Sequence, residues 1–314
     1  MRTRAAALAT EQLVEDTAAS ELARSKSAVA AVVAGFFAAA GAHRDVLLGP
    51  VTLLVAGVGT GGRVYDGRLR QPGLGARRPR GFVSEDVPVA SRVALSTSIA
   101  ALTVALAYDQ RATLTAVARA GAKAATAAGA EARARVLDRI AAVGPAALSE
   151  SSFVRPLLHL ASPSEGGLLT PADFVATEDV TAAAQERVVD GVTWLAAPWA
   201  DSQAEPAPGA DRHSVCAVDA EGVYAALCYE QIGSGLDVTA LELVAPLAAV
   251  PVRRGTPRVT PGTRLPAFTP VAIACDDTGA PVEVTATRQA GLRGPPLHLS
   301  VARGSGRWLV VTRR

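Results

Sequence analysis

Between residues 209 and 230 the sequence runs GADRHSVCAVDAEGVYAALCYE. Its alternation predicts a strand, a turn at residues 219–222 and a returning strand. Ser214 and Cys216 stand two residues apart, so a strand would present them on one face. Each is competent for acyl transfer once a neighbouring base or its own α-amine takes up its proton. His213, between Arg212 and Ser214, brings an imidazole able to exchange protons near neutral pH, and Asp211 a carboxylate. The same residues also suit a plainer reading, in which Asp211, His213 and Ser214 are the solvated start of a strand and Cys216 is a core thiol.

The elements that would hold such a site are legible from periodicity. Residues 11–42 read as two helices, the second of them AVAAVVAGFFAAAGA at residues 28–42, too short for a bilayer span and suited to burial on all sides. VTLLVAGV at residues 51–58 reads as a buried strand, with residues 63–68 as its hairpin partner. From residue 89 to 143 Ala, Leu, Arg and Glu dominate without Pro inside the helical runs, which predicts helices broken near Asp109 and Gly129. Thr170 before Pro171, with Asp173 in the first turn, predicts a capped helix start. Residues 197–210, APWADSQAEPAPGA, read as an exposed linker. After it come three hairpins, turning near residues 219–222, 276–279 and 303–306. The result is one α+β domain over residues 1–314, helix-rich at 1–196 and strand-rich at 211–314.

Composition excludes several classes of function. The 314 residues carry 31 Lys and Arg against 29 Asp and Glu, so no overall field draws the chain to nucleic acid or to a membrane. The one basic run, at residues 68–81, is rich in Gly and Pro and reads as a loop. Three cysteines without CxxC spacing and four scattered histidines give no metal site and no cofactor site. The acidic residues Glu11, Glu15 and Asp16 interrupt the N-terminal stretch where a secretory h-region would lie, which predicts a cytoplasmic protein. Abundant Ala, Arg and Val, with Met and Lys scarce, fit a high-GC bacterial source and a biosynthetic setting.

Several blocks together resemble the γ-glutamyltransferase family. SAVAAVVAGFFAAAG is similar to its buried Gly- and Ala-rich helix, YDGRLRQPG to its DGRETAP segment, and GGLLTPADFVATE to its GG-[IL]-[IL]-T-x-x-D-[LF] segment. HSVCAVDAEG followed by IGSGL resembles TTHFSVVDxxG and the downstream FGSG, and PGTRLPAFTPVAIACDDTGAPVEV resembles PGKRPLSSMSPTIV and its following hairpin. The blocks keep the family's order over most of residues 25–291. The resemblance implies a four-layer αββα sandwich of the N-terminal-nucleophile hydrolase type, in which the precursor cleaves itself and the freed Thr attacks a γ-glutamyl carbonyl.

Carried over residue by residue, the resemblance puts Arg212 at the nucleophilic Thr. Gln289 and Ala290 fall at the Gly pair of the oxyanion hole, and Pro266 and Ala267 at the Ser pair that helps hold the substrate α-carboxylate. The run at residues 245–250, with Ala245 and Leu247, falls on the segment that binds the α-amine. Arg68, in DGR, matches the Arg that grips the α-carboxylate, a task suited to a bidentate fork; its plain alternative is a local ion pair. The expectation is a divergent member without γ-glutamyl chemistry, serving as a binding or partner subunit or as a catalyst of altered design. Its ligand would be small and apolar or carboxylate-bearing, and it would pair with itself or with a related subunit. The alternative is an active amidohydrolase or acyltransferase using Ser214 or Cys216 after self-cleavage. A cavity between the central sheets is expected, with Arg68 at one end and residues 245–250 and 266–268 in its walls.

Overall fold

The computed structural model describes residues 4–57, 59, 61–76, 81–83, 87–175, 179–200, 210–267, 269–288, 297–304 and 308–314. Strand β1 (Ala6–Ala9) leads into α1 (Gln12–Ser25) and α2 (Ala28–Ala42). The hairpin of β2 (Val51–Gly57) and β3 (Gly61–Gly67) follows, then β4 (Leu69–Arg70) and β5 (Leu95–Ser96). Helices α3 (Ser98–Asp109), α4 (Leu114–Ala127), α5 (Glu131–Val143) and α6 (Ser151–Ala161) come next. Strands β6 (Thr181–Ala183), β7 (Gln185–Val189), β8 (Val192–Ala196), β9 (Asp211–Val218) and β10 (Tyr224–Gln231) follow. The chain closes with β11 (Gly235–Val238), β12 (Leu243–Pro246), β13 (Val271–Cys275), β14 (Pro281–Arg288), β15 (Leu297–Arg303) and β16 (Leu309–Arg313).

Two six-stranded sheets carry the fold. The first has the order β1-β9-β10-β2-β3-β6 and the second β16-β15-β14-β13-β8-β7, while β4-β5 and β11-β12 form small pairs. Alternation along each strand sends one set of side chains into the space between the sheets. Leu54, Val64, Cys216 and Ala226 of the first sheet meet Ile273, Val284, Leu299 and Val301 of the second in one buried cluster. The opposite face of the first sheet, with Leu53, Val215, Ala217 and Leu227, joins the helices in a second and larger core.

Helix α2 is the centre of that core. Its Ala-rich sequence has no polar side chain to satisfy, and every residue from Ala28 to Gly41 is buried. Ser27 caps it, accepting a hydrogen bond from the Ala30 amide at 2.9 Å and donating to Asp109 Oδ2 at 2.6 Å, which ties the start of α2 to the end of α3. Small residues let neighbouring helices approach closely: a Cβ on Gly41 would run into the Gly121 carbonyl of α4, and a Cβ on Gly121 would meet the Phe37 carbonyl at 2.5 Å.

The architecture is an α+β sandwich of two face-to-face sheets with helices packed on one of them. Helices on the first sheet, the first sheet and the second sheet give three layers of αββα. Among the described residues no helix lies over the far face of the second sheet, where Ala272, Ala274, Thr285 and Thr287 point outward. The helix breaks fall at Gln110, which takes a left-handed φ of 60°, and at Gly129. Thr170 caps the short helical turn Pro171–Phe174, of 3-10 type, in a capping box with Asp173, whose carboxylate also accepts from the Gly73 and Leu74 amides.

The close approach of α2 and α4 predicts that Gly41→Val costs about 1–3 kcal/mol, the usual scale for overpacking. Urea unfolding followed by circular dichroism checks it, and the exposed Gly129→Asn, at a left-handed φ of 70° with open space around it, should cost far less.

Candidate functional site

Strand β9 carries the residues singled out by the sequence, and all eight of its positions are buried. It pairs antiparallel with β10, placing Glu230 opposite Arg212 and Tyr229 opposite His213, and with β1, placing Leu8 opposite Cys216. Thr10 extends the second pairing: its amide donates to the Ser214 carbonyl at 3.0 Å, and its hydroxyl accepts from the Ser214 amide at 3.2 Å. The expectation of a solvated strand start is therefore overturned. Asp211, Arg212, His213 and Ser214 are at most 5% exposed, because β1 and α1 cover a strand end that local sequence alone leaves open.

Alternation separates these residues. Arg212, Ser214 and Cys216 share the face toward the second sheet, and His213 faces the helices. Arg212 Nε donates to Glu230 Oε1 at 3.2 Å, an ion pair across neighbouring strands with the Arg side chain 3% exposed and the Glu 15%. Ser214 Oγ donates to the Thr287 carbonyl of the second sheet at 3.2 Å. Cys216 is fully buried, and desolvation pushes its thiol up to about 12. Cys228, on β10, is pushed to about 12 for the same reason. Both therefore stay protonated where a thiolate nucleophile would be needed.

His213 sits in a compact polar group. Its Nδ1 lies 3.1 Å from Glu11 Oε1 and 3.2 Å from Thr10 Oγ1, and its ring stacks on Tyr229 with centroids 5.4 Å apart. The second oxygen of Glu11 lies 3.4 Å from His43 Nε2, so one carboxylate bridges two histidines 170 residues apart in sequence. Thr10 and Glu11 both approach the same imidazole nitrogen, which leaves this trio without the base–imidazole–acid relay of a catalytic triad. Burial, with the Glu11 charge adding to it, raises the Tyr229 hydroxyl well above its ordinary range. Sequence reasoning missed this cluster. Its only signal was the predicted hairpin, which fixes Tyr229 opposite His213, while Glu11 arrives through β1.

Arg68 forms a bidentate pair with Asp66, Nε at 3.0 Å and Nη2 at 2.8 Å, and its guanidinium stacks 4.0 Å over the Trp199 ring. Arg264 Nε lies 3.6 Å from the same Asp66 carboxylate. Ala267 helps line a crevice beside Arg212 with Pro50, Thr52, Cys228 and Pro270, which holds about 10 Å³, room for one water. Pro266 is exposed, and Ala245 and Leu247 pack with the helical core instead of this crevice. The residues expected to line one cavity are thus placed apart: Ala267 beside the Arg212–Glu230 pair, Arg68 between Asp66 and Trp199, and Ala245 and Leu247 in the helical core. Gln289, Ala290 and Phe268 lie outside the described residues, as do residues 201–209 of the linker and Arg77, Arg78 and Arg80 of the basic run. Among the described residues no three His, Cys, Asp or Glu side chains converge as metal ligands, and no helix is long and apolar enough to cross a membrane.

The sequence matches no family description and no curated protein. The fold, in contrast, is similar to solved structures. LmbA2991T421A superposes with a TM-score of 0.69 at 14% identity, covering 100% of this chain and 97% of that one. LmbA2991HD gives 0.62 at 16% identity over 91% and 79%, and cephalosporin acylase from Bacillus halodurans gives 0.55 at 11% over 90% and 77%. The likeness establishes the N-terminal-nucleophile hydrolase fold.

Two predictions come from this geometry. Arg212→Met leaves the Glu230 carboxylate half-enclosed without its partner and should destabilise the protein by about 3 kcal/mol, much of it recovered in Arg212→Met/Glu230→Gln; paired denaturation curves measure both. With pKa values near 12, roughly one Cys216 or Cys228 in ten thousand is thiolate at pH 8. Ellman's reagent should then leave both unlabelled in the native protein and reach all three cysteines after denaturation, as read by peptide mapping.

Proposed function

We propose that this chain is a ligand-binding protein on the N-terminal-nucleophile hydrolase fold that does not perform γ-glutamyl transfer or hydrolysis. The observation that carries the reading is the buried Arg212–Glu230 pair. At the strand position that the γ-glutamyltransferase resemblance assigns to the nucleophile stands a guanidinium, always charged and without a nucleophilic lone pair, held by a carboxylate from the neighbouring strand. The neighbouring nucleophiles support it. Ser214 spends its proton on the Thr287 carbonyl, and Cys216 is held as a thiol deep between the sheets. At Arg68, Asp66 stands as an internal carboxylate in the fork, so an amino-acid ligand would have to displace it. The ligand in this reading is less polar than glutamate, since a buried ammonium would find few partners beside Ala267 and Pro270. Residue usage, rich in Ala, Arg and Val with Met and Lys scarce, supports a bacterial biosynthetic setting for it.

The test is a denaturing mass spectrum together with a γ-glutamyl-p-nitroanilide assay. A single 32.0 kDa species and no release above buffer are expected. Two fragments meeting within residues 209–216, or turnover lost in Ser214→Ala or Cys216→Ala, would overturn the proposal in favour of an active self-cleaved enzyme.

A further inference from the structure

A pocket of about 450 Å³ lies at the C-terminal end of α6, apart from the Arg212 crevice. The chain turns back there. The Gly167 amide donates to the Ser162 carbonyl and the Leu169 amide to the Ala161 carbonyl, both at 2.9 Å, which lays the segment after residue 166 against the helix end. Leu158, Pro163, Leu168, Leu169 and Pro171 make the lining mostly apolar, and Gly73, of the loop after β4, joins it together with Arg258. Ser162 and Thr170 also line the pocket, but their hydroxyls are engaged within the protein, Ser162 with Ser164 at 2.8 Å and Thr170 with the Leu74 carbonyl at 2.7 Å. Arg258 is the one ionised side chain among the described lining residues, and it is half-buried. Among the described residues its guanidinium has neither a hydrogen bond nor an ion pair. Its Nη2 lies 3.3 Å from where a Cβ on Gly73 would stand, and Gly73 takes a φ of 109°, so glycine is what leaves the guanidinium room at the wall. The carboxylate of Asp173, which borders Gly73 and Thr170, is taken up by the Gly73, Leu74 and Thr170 amides at 2.8–3.0 Å.

We propose that this pocket binds a small aryl or alkyl monocarboxylic acid, its hydrocarbon part against Leu158, Pro163 and Leu168 and its carboxylate on Arg258. The volume falls in the range of small-ligand sites, and a mostly apolar lining with one charged group is their usual pattern. A half-buried guanidinium without an acceptor has given up part of its hydration for nothing in return, and a ligand carboxylate restores those hydrogen bonds. The planar fork of arginine matches a carboxylate and keeps its charge in such surroundings. One cation balances one negative charge, which favours a monoacid over a dianionic phosphate. The inference rests on the ligand-binding reading above for its biological role, but the pocket shares no residue with the Arg212 crevice. Failure of the acid to bind would sink the inference and leave the uncleaved chain and its lack of γ-glutamyl turnover as they stand.

The probes are 4-phenylbutyrate, 4-phenyl-1-butanol and acetate, measured by isothermal titration calorimetry and by thermal shift. The wild-type protein should bind phenylbutyrate more tightly than phenylbutanol by about tenfold or more, the scale of a hydrogen bond to a charged group, and acetate least. Arg258→Met should remove the preference of acid over alcohol while phenylbutanol binding stays. Leu158→Glu, which brings a carboxylate into the apolar wall from α6, should weaken phenylbutyrate by about tenfold or more. Circular dichroism confirms that each variant folds. Absence of phenylbutyrate binding, equal affinity for acid and alcohol in the wild type, a preference that survives Arg258→Met, or phenylbutyrate binding untouched by Leu158→Glu would each overturn the proposal.

Discussion

Everything around the candidate site follows from burying β9 on both faces. A strand enclosed by α2 on one side and a second sheet on the other has no water to satisfy its polar side chains, so each must find a protein partner. Arg212 takes Glu230, Ser214 takes the Thr287 carbonyl, and His213 takes Glu11 and Thr10. These partners come from β10, from the second sheet and from the junction of β1 and α1. The polar residues of one strand thus fix how three other elements meet it. A buried pair of this kind adds little net stability, yet removing one member is costly, and that asymmetry favours one arrangement over its alternatives.

The same principle organises the neighbouring loops. Asp66 receives Arg68 and Arg264, Trp199 covers the Arg68 guanidinium, and Thr97 links the Asp66 carbonyl to Arg264. Asp173 gathers the amides of Gly73, Leu74 and Thr170, while its own carbonyl holds Arg70. Two arginines, two residues apart, therefore face different surroundings. Arg68 is closed by Asp66 and the Trp199 ring, and Arg70 is drawn to the Asp173 carbonyl.

What was legible in the sequence had short range. The buried helix at residues 28–42, the breaks at residues 109 and 129, and the hairpins turning at residues 219–222 and 276–279 depend on periodicity and turn chemistry within a few residues. Even the Arg212 pair was latent in that information: once the turn is placed, Val218 opposite Tyr224 fixes Arg212 opposite Glu230. The Arg68–Asp66 pair was equally local. The burial of Asp211, His213 and Ser214 was not legible, because it depends on β1, a four-residue strand some 200 residues earlier whose sequence AALA carries no strand signal of its own. The cluster of Glu11 with His43 and His213 was hidden for the same reason, since its members come from three separated segments.

Self-cleavage at Ser214 would impose demands that these surroundings meet poorly. The new terminus would be an ammonium inside a strand whose Ser214 amide and carbonyl are already engaged by Thr10, and Arg212 would part from the strand that positions it against Glu230. Burying an ammonium without a matched anion costs several kcal/mol, and the carboxylates of this region are already engaged, Glu230 by Arg212 and Glu11 by His213 and His43. Cleavage before Cys216 meets a fully buried surrounding, where desolvation holds the thiol in its protonated form, away from the thiolate that would attack. Ligand binding makes no such demand. It requires only a stable sandwich, and an intact β9, paired to both β1 and β10, helps hold the first sheet together.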